Sequence, residues 1–206
     1  MYLKGSYYRP EKAESTSTST VPPTDPEFGY RLSGGFFSLE AGLVFLGSLG
    51  NSQPKIGRKP VALETGDFNG DRIQDIAISN YGDGNLSIVL GRKDGIFKLK
   101  TKLKVGRLPI AVAAGDFNND EKLDPAVTLW FDKLVILLGK GDGNFKLAES
   151  YKAPGTPAYM TVGDFNSDKN LDIAIAFNAV RVNFIRIFYG NGDGTLKNPV
   201  RIESGG

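Results

Sequence analysis

The sequence predicts an all-β fold made of repeated four-stranded units, and three observations predict it. An acidic ten-residue stretch occurs three times, as GDFNGDRIQD from Gly66, GDFNNDEKLD from Gly115 and GDFNSDKNLD from Gly163. A proline stands six residues before each copy (Pro60, Pro109, Pro157), and a glycine-rich turn follows each, as GRKDGIFK, GKGDGNFK and GNGDGTLK. The intervals of 49 and 48 residues between acidic copies are those of one supersecondary unit used repeatedly. The 26 Gly and 11 Pro, regularly placed, suit many short strands joined by turns.

Each unit reads as four strands. The first is VALETGDF, IAVAAGDF or AYMTVGDF, and the acidic loop follows it. The second is IAIS, PAVTLW or IAIAF, and the third is LSIVLG, LVILLG or FIRIFYG. The Lys-Asp-Gly or Gly-Asp-Gly turn comes next, where Gly supplies the positive φ that hairpins demand. The fourth strand is IFKLKTKLKV, NFKLAESYKA or LKNPVRIE. The third unit carries extra residues around NAVRVNF, from Asn178.

Two patterns choose the architecture. The second strand alternates large and small apolar residues (Ile76, Ala77, Ile78; Ile173, Ala174, Ile175, Ala176), so both of its faces are covered. The fourth strand of the first unit alternates Lys98, Lys100, Lys102 and Lys104 with Phe97, Leu99, Thr101 and Leu103. One face is buried, and the lysines blunt an edge against stray pairing. A four-stranded sheet covered inside and protected at its edge, repeating at this period, is a propeller blade. A flat array or β-sandwich of the same hairpins is the alternative. The predicted fold is therefore a partial β-propeller of about three and a half four-stranded blades. The units span 60–108, 109–156 and 157–206. Residues 36–59, with VFLGSLGNSQPKIGRKP running from Val44 to Pro60, read as a degraded third strand, turn and fourth strand of one more blade. Residues 1–35 are rich in Ser, Thr and Pro, with almost nothing apolar to bury, and are expected to be disordered.

Composition excludes several functions. With 25 basic and 23 acidic residues the net charge is +2, so no bulk field points to nucleic acid or an acidic membrane. Neither Cys nor His is present, which removes disulfides, thiolate chemistry, imidazole bases and the commonest transition-metal ligand. No signal peptide is visible after MYLKGSYYRP. The most apolar window, FFSLEAGLVFLGSLG from Phe36, is too short to span a membrane and contains Glu40.

The acidic loop has the pattern of a hard-cation site. Counted from its first Asp, positions 1, 3, 5 and 9 are Asp67, Asn69, Asp71 and Asp75; then Asp116, Asn118, Asp120 and Asp124; then Asp164, Asn166, Asp168 and Asp172. Position 7 varies (Ile73, Lys122, Asn170), as expected where only a backbone carbonyl is needed. Ca²⁺ takes six to eight oxygen ligands, and alternate side chains of a tight loop can converge on one. Three carboxylates so close repel unless a cation joins them or they are protonated. The plainer reading is that Asp and Asn favour turns; three copies with every ligand position filled alike argue against it. An EF-hand fits poorly, because position 12 is Ile78, Val127 or Ile175, inside a strand.

The segments GDFNGDRIQDIAI, GDFNSDKNLDIAIA and LLGKGDGNFK resemble the FG-GAP-like, or VCBS, repeat, the family that includes the calcium-binding blades of the integrin α-subunit head. The resemblance covers roughly residues 44–206. It implies a β-propeller, usually of seven blades, of which this chain would form an open arc. It also implies three structural calcium ions on the positions named above and an extracellular location. Three departures stand out. Lys93-Asp94-Gly95 replaces the usual Gly-Asp-Gly, Pro125 sits where the second strand should begin and is expected to loosen it, and the partial N-terminal blade has no acidic loop.

The expected function is a non-catalytic binding module for a protein or glycan ligand, with protein contacts as in adhesion the first reading and a lectin-like propeller the second. Tyr81, Trp130, Phe131 and Phe177 fall near the turns after the second strands, at unequal offsets, and are the aromatic candidates for sugar binding. An enzyme is not expected, since the carboxylates are assigned to calcium. An open arc exposes apolar surface at both ends, so self-association is expected through Ile173, Ile175 and Ile187 at one end and Leu43, Phe45 and Leu46 at the other.

Overall fold

The computed structural model describes residues 54–130, 133–177 and 184–203. The expectations for residues 1–53 lie outside the described residues, Leu43, Phe45 and Leu46 among them. Among the described residues, twelve strands form three four-stranded antiparallel sheets. The first holds β1 (Pro60–Gly66), β2 (Asp75–Asn80), β3 (Asn85–Gly91) and β4 (Phe97–Lys104), in that spatial order. The second holds β5 (Pro109–Gly115), β6 (Asp124–Leu129), β7 (Lys133–Gly139) and β8 (Phe145–Lys152). The third holds β9 (Pro157–Gly163), β10 (Asp172–Phe177), β11 (Phe184–Phe188) and β12 (Val200–Glu203). Among the described residues no helix is long and apolar enough to cross a membrane.

Strand boundaries follow the sequence punctuation. Each first strand opens at a Pro, where a ladder N–H is not needed, and each ends at the Gly that enters the acidic loop. All three second strands start on the last loop aspartate. Pro125 does not shift the start of β6, and its effect is confined to one side. The β2–β3 ladder begins at Ile76–Val89, whereas β6–β7 begins one position later, at Ala126–Ile136. The fourth strand of the third unit is shorter than expected. Pro199 lacks an N–H, and only Val200–Glu203 pairs with β11, leaving Leu196 in an isolated bridge to Gly190.

The sheets pack face to face, with β1, β5 and β9 side by side. Phe68, Ala77, Leu86 and Ile88 of the first sheet meet Val112, Val127, Val135 and Leu137 of the second. Ala126, Leu134 and Ile136, on the other face of the second sheet, meet Ile173, Ile175 and Phe188 of the third. All six residues of β6 are buried, as expected of a strand covered on both faces. In β4, half-buried and exposed residues alternate, with the four lysines outside.

Two expectations about the ends are corrected. Ile173 and Ile175 are fully buried between the second and third sheets and do not face outward. Side chains alternate along a strand, so the outward face of β10 is Ala174 and Ala176, paired with Ile187 and Ile185 of β11. At the other end, residues 54–59 of the degraded blade form no strand. They lie instead on the leading face of the first sheet. There the Gly57 N–H donates to Ser87 Oγ (3.3 Å), and Asn80 Nδ2 donates to Asn85 Oδ1 (2.7 Å) and Ser87 Oγ (2.8 Å).

Candidate functional site

The three acidic loops fold alike because the same side chains hold the same backbone groups. The position-1 carboxylate accepts from the N–H groups of positions 5 and 6. Asp67 does so with Asp71 (3.1 Å) and Arg72 (2.6 Å), Asp116 with Asp120 (3.0 Å) and Glu121 (2.7 Å), and Asp164 with Asp168 (3.2 Å) and Lys169 (2.9 Å). The position-3 Asn Oδ1 also accepts from the position-5 N–H, at 2.9, 3.2 and 2.9 Å for Asn69, Asn118 and Asn166. Asp71, Asp120 and Asp168 accept from the N–H groups of Ile73 (2.8 Å), Lys122 (3.1 Å) and Asn170 (2.9 Å). This winding needs left-handed backbone at position 6, where φ is +64° at Arg72, +63° at Glu121 and +71° at Lys169.

Position 9 is different in kind. Asp75, Asp124 and Asp172 are fully buried, and both oxygens of each carboxylate are engaged. One accepts from the N–H of the loop phenylalanine (Phe68 2.9 Å, Phe117 3.0 Å, Phe165 2.8 Å). The other accepts from the glycine that ends the third strand or, in the third unit, follows it by two residues (Gly91 2.8 Å, Gly139 2.7 Å, Gly190 2.8 Å). This residue therefore ties the loop to a strand two elements away. The glycine partners are also sterically fixed. A Cβ on Gly91, Gly139 or Gly190 would run into the carbonyl oxygen of Gln74, Leu123 or Leu171. We expect Gly139→Ala to cost about 2 kcal/mol in denaturant unfolding, because backbone cannot yield as a side-chain tip can; a cost near zero would show that the loop and strand are not held together in this way.

Electrostatics within the loops divide by position. Burial pushes the Asp124 carboxyl up to about 6, with Asp120 and Asp116 adding repulsion and two backbone N–H groups opposing. Asp75 is raised for the same reasons, burial first and then Asp71 and Asp67. Asp67 goes the other way, because four backbone N–H groups together outweigh the burial that raises it. Chain cations approach position 5 in two loops: Lys122 Nζ lies 3.0 Å from Asp120 Oδ2, and Lys197 Nζ lies 3.5 Å from Asp168 Oδ2.

The donor chemistry, oxygen only, suits a hard cation. Each carboxylate oxygen that accepts one N–H keeps a further lone pair. Yet among the described residues no cluster of three or more acidic side chains is arranged to hold a metal. The position-5 carboxylates face the Asn69 and Asn166 amide nitrogens (3.0 Å each) or Lys122, so cation binding requires those side chains to turn.

The aromatic candidates separate. Tyr81 and Trp130 occupy equivalent positions, six residues after the last loop Asp, and pack edge to face with ring centres 6.5 Å apart. Their N–H groups donate to the carbonyls of Lys59 and Leu108 (2.9 Å each), residues held at φ +51° and +54°. Phe177 is buried and stacked on Phe184 at 4.9 Å, which withdraws it as a surface aromatic. Phe131 lies outside the described residues.

Sequence reasoning missed the residues that join neighbouring blades. The residue before the last loop Asp is Leu123 in the second unit and Leu171 in the third, and each fits over a glycine of the preceding blade, Gly66 or Gly115. Asn119 Nδ2 reaches Asn170 Oδ1 (3.1 Å) and the Gly192 carbonyl (3.2 Å) across the second junction. The signal was present in the aligned repeats, since Phe follows every first Asp and Leu stands at position 8 in two of the three.

Comparison with known proteins agrees with this architecture. Residues 67–127 match the family model described as FG-GAP-like repeat, a stretch from the first acidic loop into β6. No curated protein matches the chain. Among solved structures, the crystal structure of Saccharomyces cerevisiae Sqt1, a β-propeller-type protein, is similar with a TM-score of 0.51 at 12% identity. The similarity covers 70% of this chain and 35% of that one, so the chain spans about a third of the matched structure. The three sheets are thus propeller-type blades, and the stretch 67–127, across the first two, is similar to the FG-GAP-like repeat.

Proposed function

We propose that the chain is a non-catalytic, calcium-stabilised β-propeller interaction module that works outside the cell through protein contacts. The observation that carries this reading is the threefold loop with its oxygen-only donors, in two copies of which the neighbouring carboxylates add repulsion at Asp75 and Asp124. A bound Ca²⁺ would replace that repulsion by attraction and couple ion binding to folding, tying the end of each first strand to the start of the second. The ligands would be the side chains at positions 1, 3, 5 and 9 and the backbone carbonyls of Ile73, Lys122 and Asn170.

The test is thermal melting in calcium and in chelator. Calcium at millimolar concentration is expected to raise the melting temperature, and Asp67→Ala, Asp116→Ala and Asp164→Ala are each expected to remove part of that rise. If the triple variant keeps the full calcium shift, the loops are not the metal site.

Titration gives an independent check. Burial holds the Asp124 carboxyl at about 6, well above its ordinary value of 3.8. A carboxyl whose folded pKa is raised contributes stability at low pH, and that contribution is lost as pH rises through the folded value. In chelator, stability should therefore increase as pH falls from 7 toward 5. Below about pH 4 it should fall again, because the unfolded chain takes up a proton that Asp67, held low in the folded state by its backbone N–H partners, does not. Calcium should flatten the upper limb, since a cation holds Asp124 ionised. An upper limb unchanged by calcium would contradict this.

A glycan ligand is the second reading, favoured by the Tyr81–Trp130 pair, with Trp130 38% exposed. Binding on a glycan array that Trp130→Ala abolishes would select it. Turnover in a hydrolase screen would contradict both readings.

A further inference from the structure

We propose that Arg186 and Arg201 form a binding site for a carboxylate of a partner protein, presented on an acidic side chain; this names the partner's chemistry and rests on the protein-contact reading above. The two arginines stand directly opposite one another on β11 and β12. Arg186 is paired on its other side with Ile175, which packs against the second sheet. Directly opposed residues share a face, so both guanidinium groups lie on the side of the third sheet that turns toward the second.

The pair rests on aromatic rings. The Arg201 guanidinium lies 4.1 Å from the centre of the Phe184 ring, and that of Arg186 lies 5.1 Å from the same centre and 5.4 Å from that of Phe177. Gly155 brings backbone against both rings, and the neighbouring Pro154 carbonyl accepts from Arg186 Nη1 (2.9 Å). These contacts order the guanidinium groups before a ligand arrives, which lowers the cost of binding one.

The charge on the pair is not matched by the chain. Like charges directly opposed across two strands repel. Among the described residues Arg72, Arg107 and Arg186 are the arginines without an ion pair. Arg72 and Arg107 are exposed, whereas Arg186 is half-buried. Burial, and then Arg201, push the Arg186 guanidinium below its ordinary value. Glu149, on β8, accepts instead from the Tyr151 hydroxyl (2.8 Å). Glu203 shows what the site accepts. It meets Arg201 through both oxygens, Nε to Oε1 at 2.8 Å and Nη2 to Oε2 at 3.2 Å, the planar two-oxygen match that a guanidinium makes with a carboxylate. Both side chains are exposed and stand two residues apart on an edge strand, so this pair is weak and exchangeable. A ligand carboxylate between the two arginines would take Glu203's place on Arg201 and use the remaining donors of Arg186.

The test is a titration of end-capped tetraglutamate into the full chain in metal-free buffer, followed through the arginine Nε–H signals by NMR. Shifts at Arg186 and Arg201 should saturate with a dissociation constant on the order of 10⁻³ M, while Arg72 and Arg107 stay unmoved and tetraglutamine has no effect. Arg186→Lys keeps the charge but loses the fork, and should weaken binding about fivefold. Arg201→Gln, at an exposed side chain, should weaken it as much, so the outcome does not depend on how well the first variant folds. Glu203→Gln removes the internal competitor and should tighten binding about threefold; a purely structural arginine pair would show no such gain. Shifts spread evenly over all the arginines, or the same shifts with tetraglutamine, overturn the proposal but leave the protein-contact reading standing. A sulfated disaccharide that saturates the same two arginines at lower concentration than the peptide overturns both, because the site would then belong to a glycan.

Discussion

Asp124→Ala is expected to lower the unfolding free energy by about 3 kcal/mol in chelator, and by more in calcium, where the ion of that loop is lost as well. Both oxygens of this fully buried carboxylate accept backbone N–H groups, at Phe117 and Gly139. Truncation leaves two buried donors without acceptors, at about 1–3 kcal/mol each. Asp124→Asn keeps one acceptor oxygen and turns an NH2 toward the other donor, so its cost should be smaller. Asp116→Ala is the control: its N–H partners at Asp120 and Glu121 are exposed, and in chelator the loss should stay under about 1 kcal/mol. Urea unfolding in chelator measures all three. Equal losses for Asp116→Ala and Asp124→Ala would show that position 9 has no structural duty apart from position 1.

Phe117→Ala should cost about 3–5 kcal/mol, whereas Phe165→Ala at the equivalent position should cost less than about 1 kcal/mol. The two rings occupy the same place in successive repeats, but Phe117 is 2% exposed between the second and third sheets and Phe165 is 46% exposed. The first substitution opens a cavity that the rigid sheets cannot close, while the second removes surface already in water. Matching losses from denaturant melts would mean that Phe165 is covered in solution.

The strands were legible in the sequence because the signals that make them are local. Alternating residues, turn glycines and the proline before each first strand placed β1 to β11 to within a few residues, and the edge lysines of β4 were foreseen. What failed was non-local. Ile173 and Ile175 were assigned to the open end, but which face of a strand meets a neighbour depends on one step of parity that both-face apolar strands do not reveal. The position-8 leucines drew no role, because the glycine each one meets lies in the preceding repeat. Asp75, Asp124 and Asp172 were grouped with the other loop acids by spacing. Their burial and their bonds to the end of the third strand appear only when that strand lies beside them. Spacing likewise could not show that Lys122 and Lys197 approach position 5, or that the amide nitrogens of Asn69 and Asn166 face it.

Isothermal titration of calcium into chelator-stripped protein tests the account most directly. The account requires three sites with dissociation constants on the order of 10⁻⁴ to 10⁻³ M, the range of extracellular modules. Asp67→Ala, Asp116→Ala and Asp164→Ala should each remove one of them. Absence of binding heat at millimolar calcium, from protein that is folded by circular dichroism, would contradict it and leave the acidic loops as turns held by their own backbone.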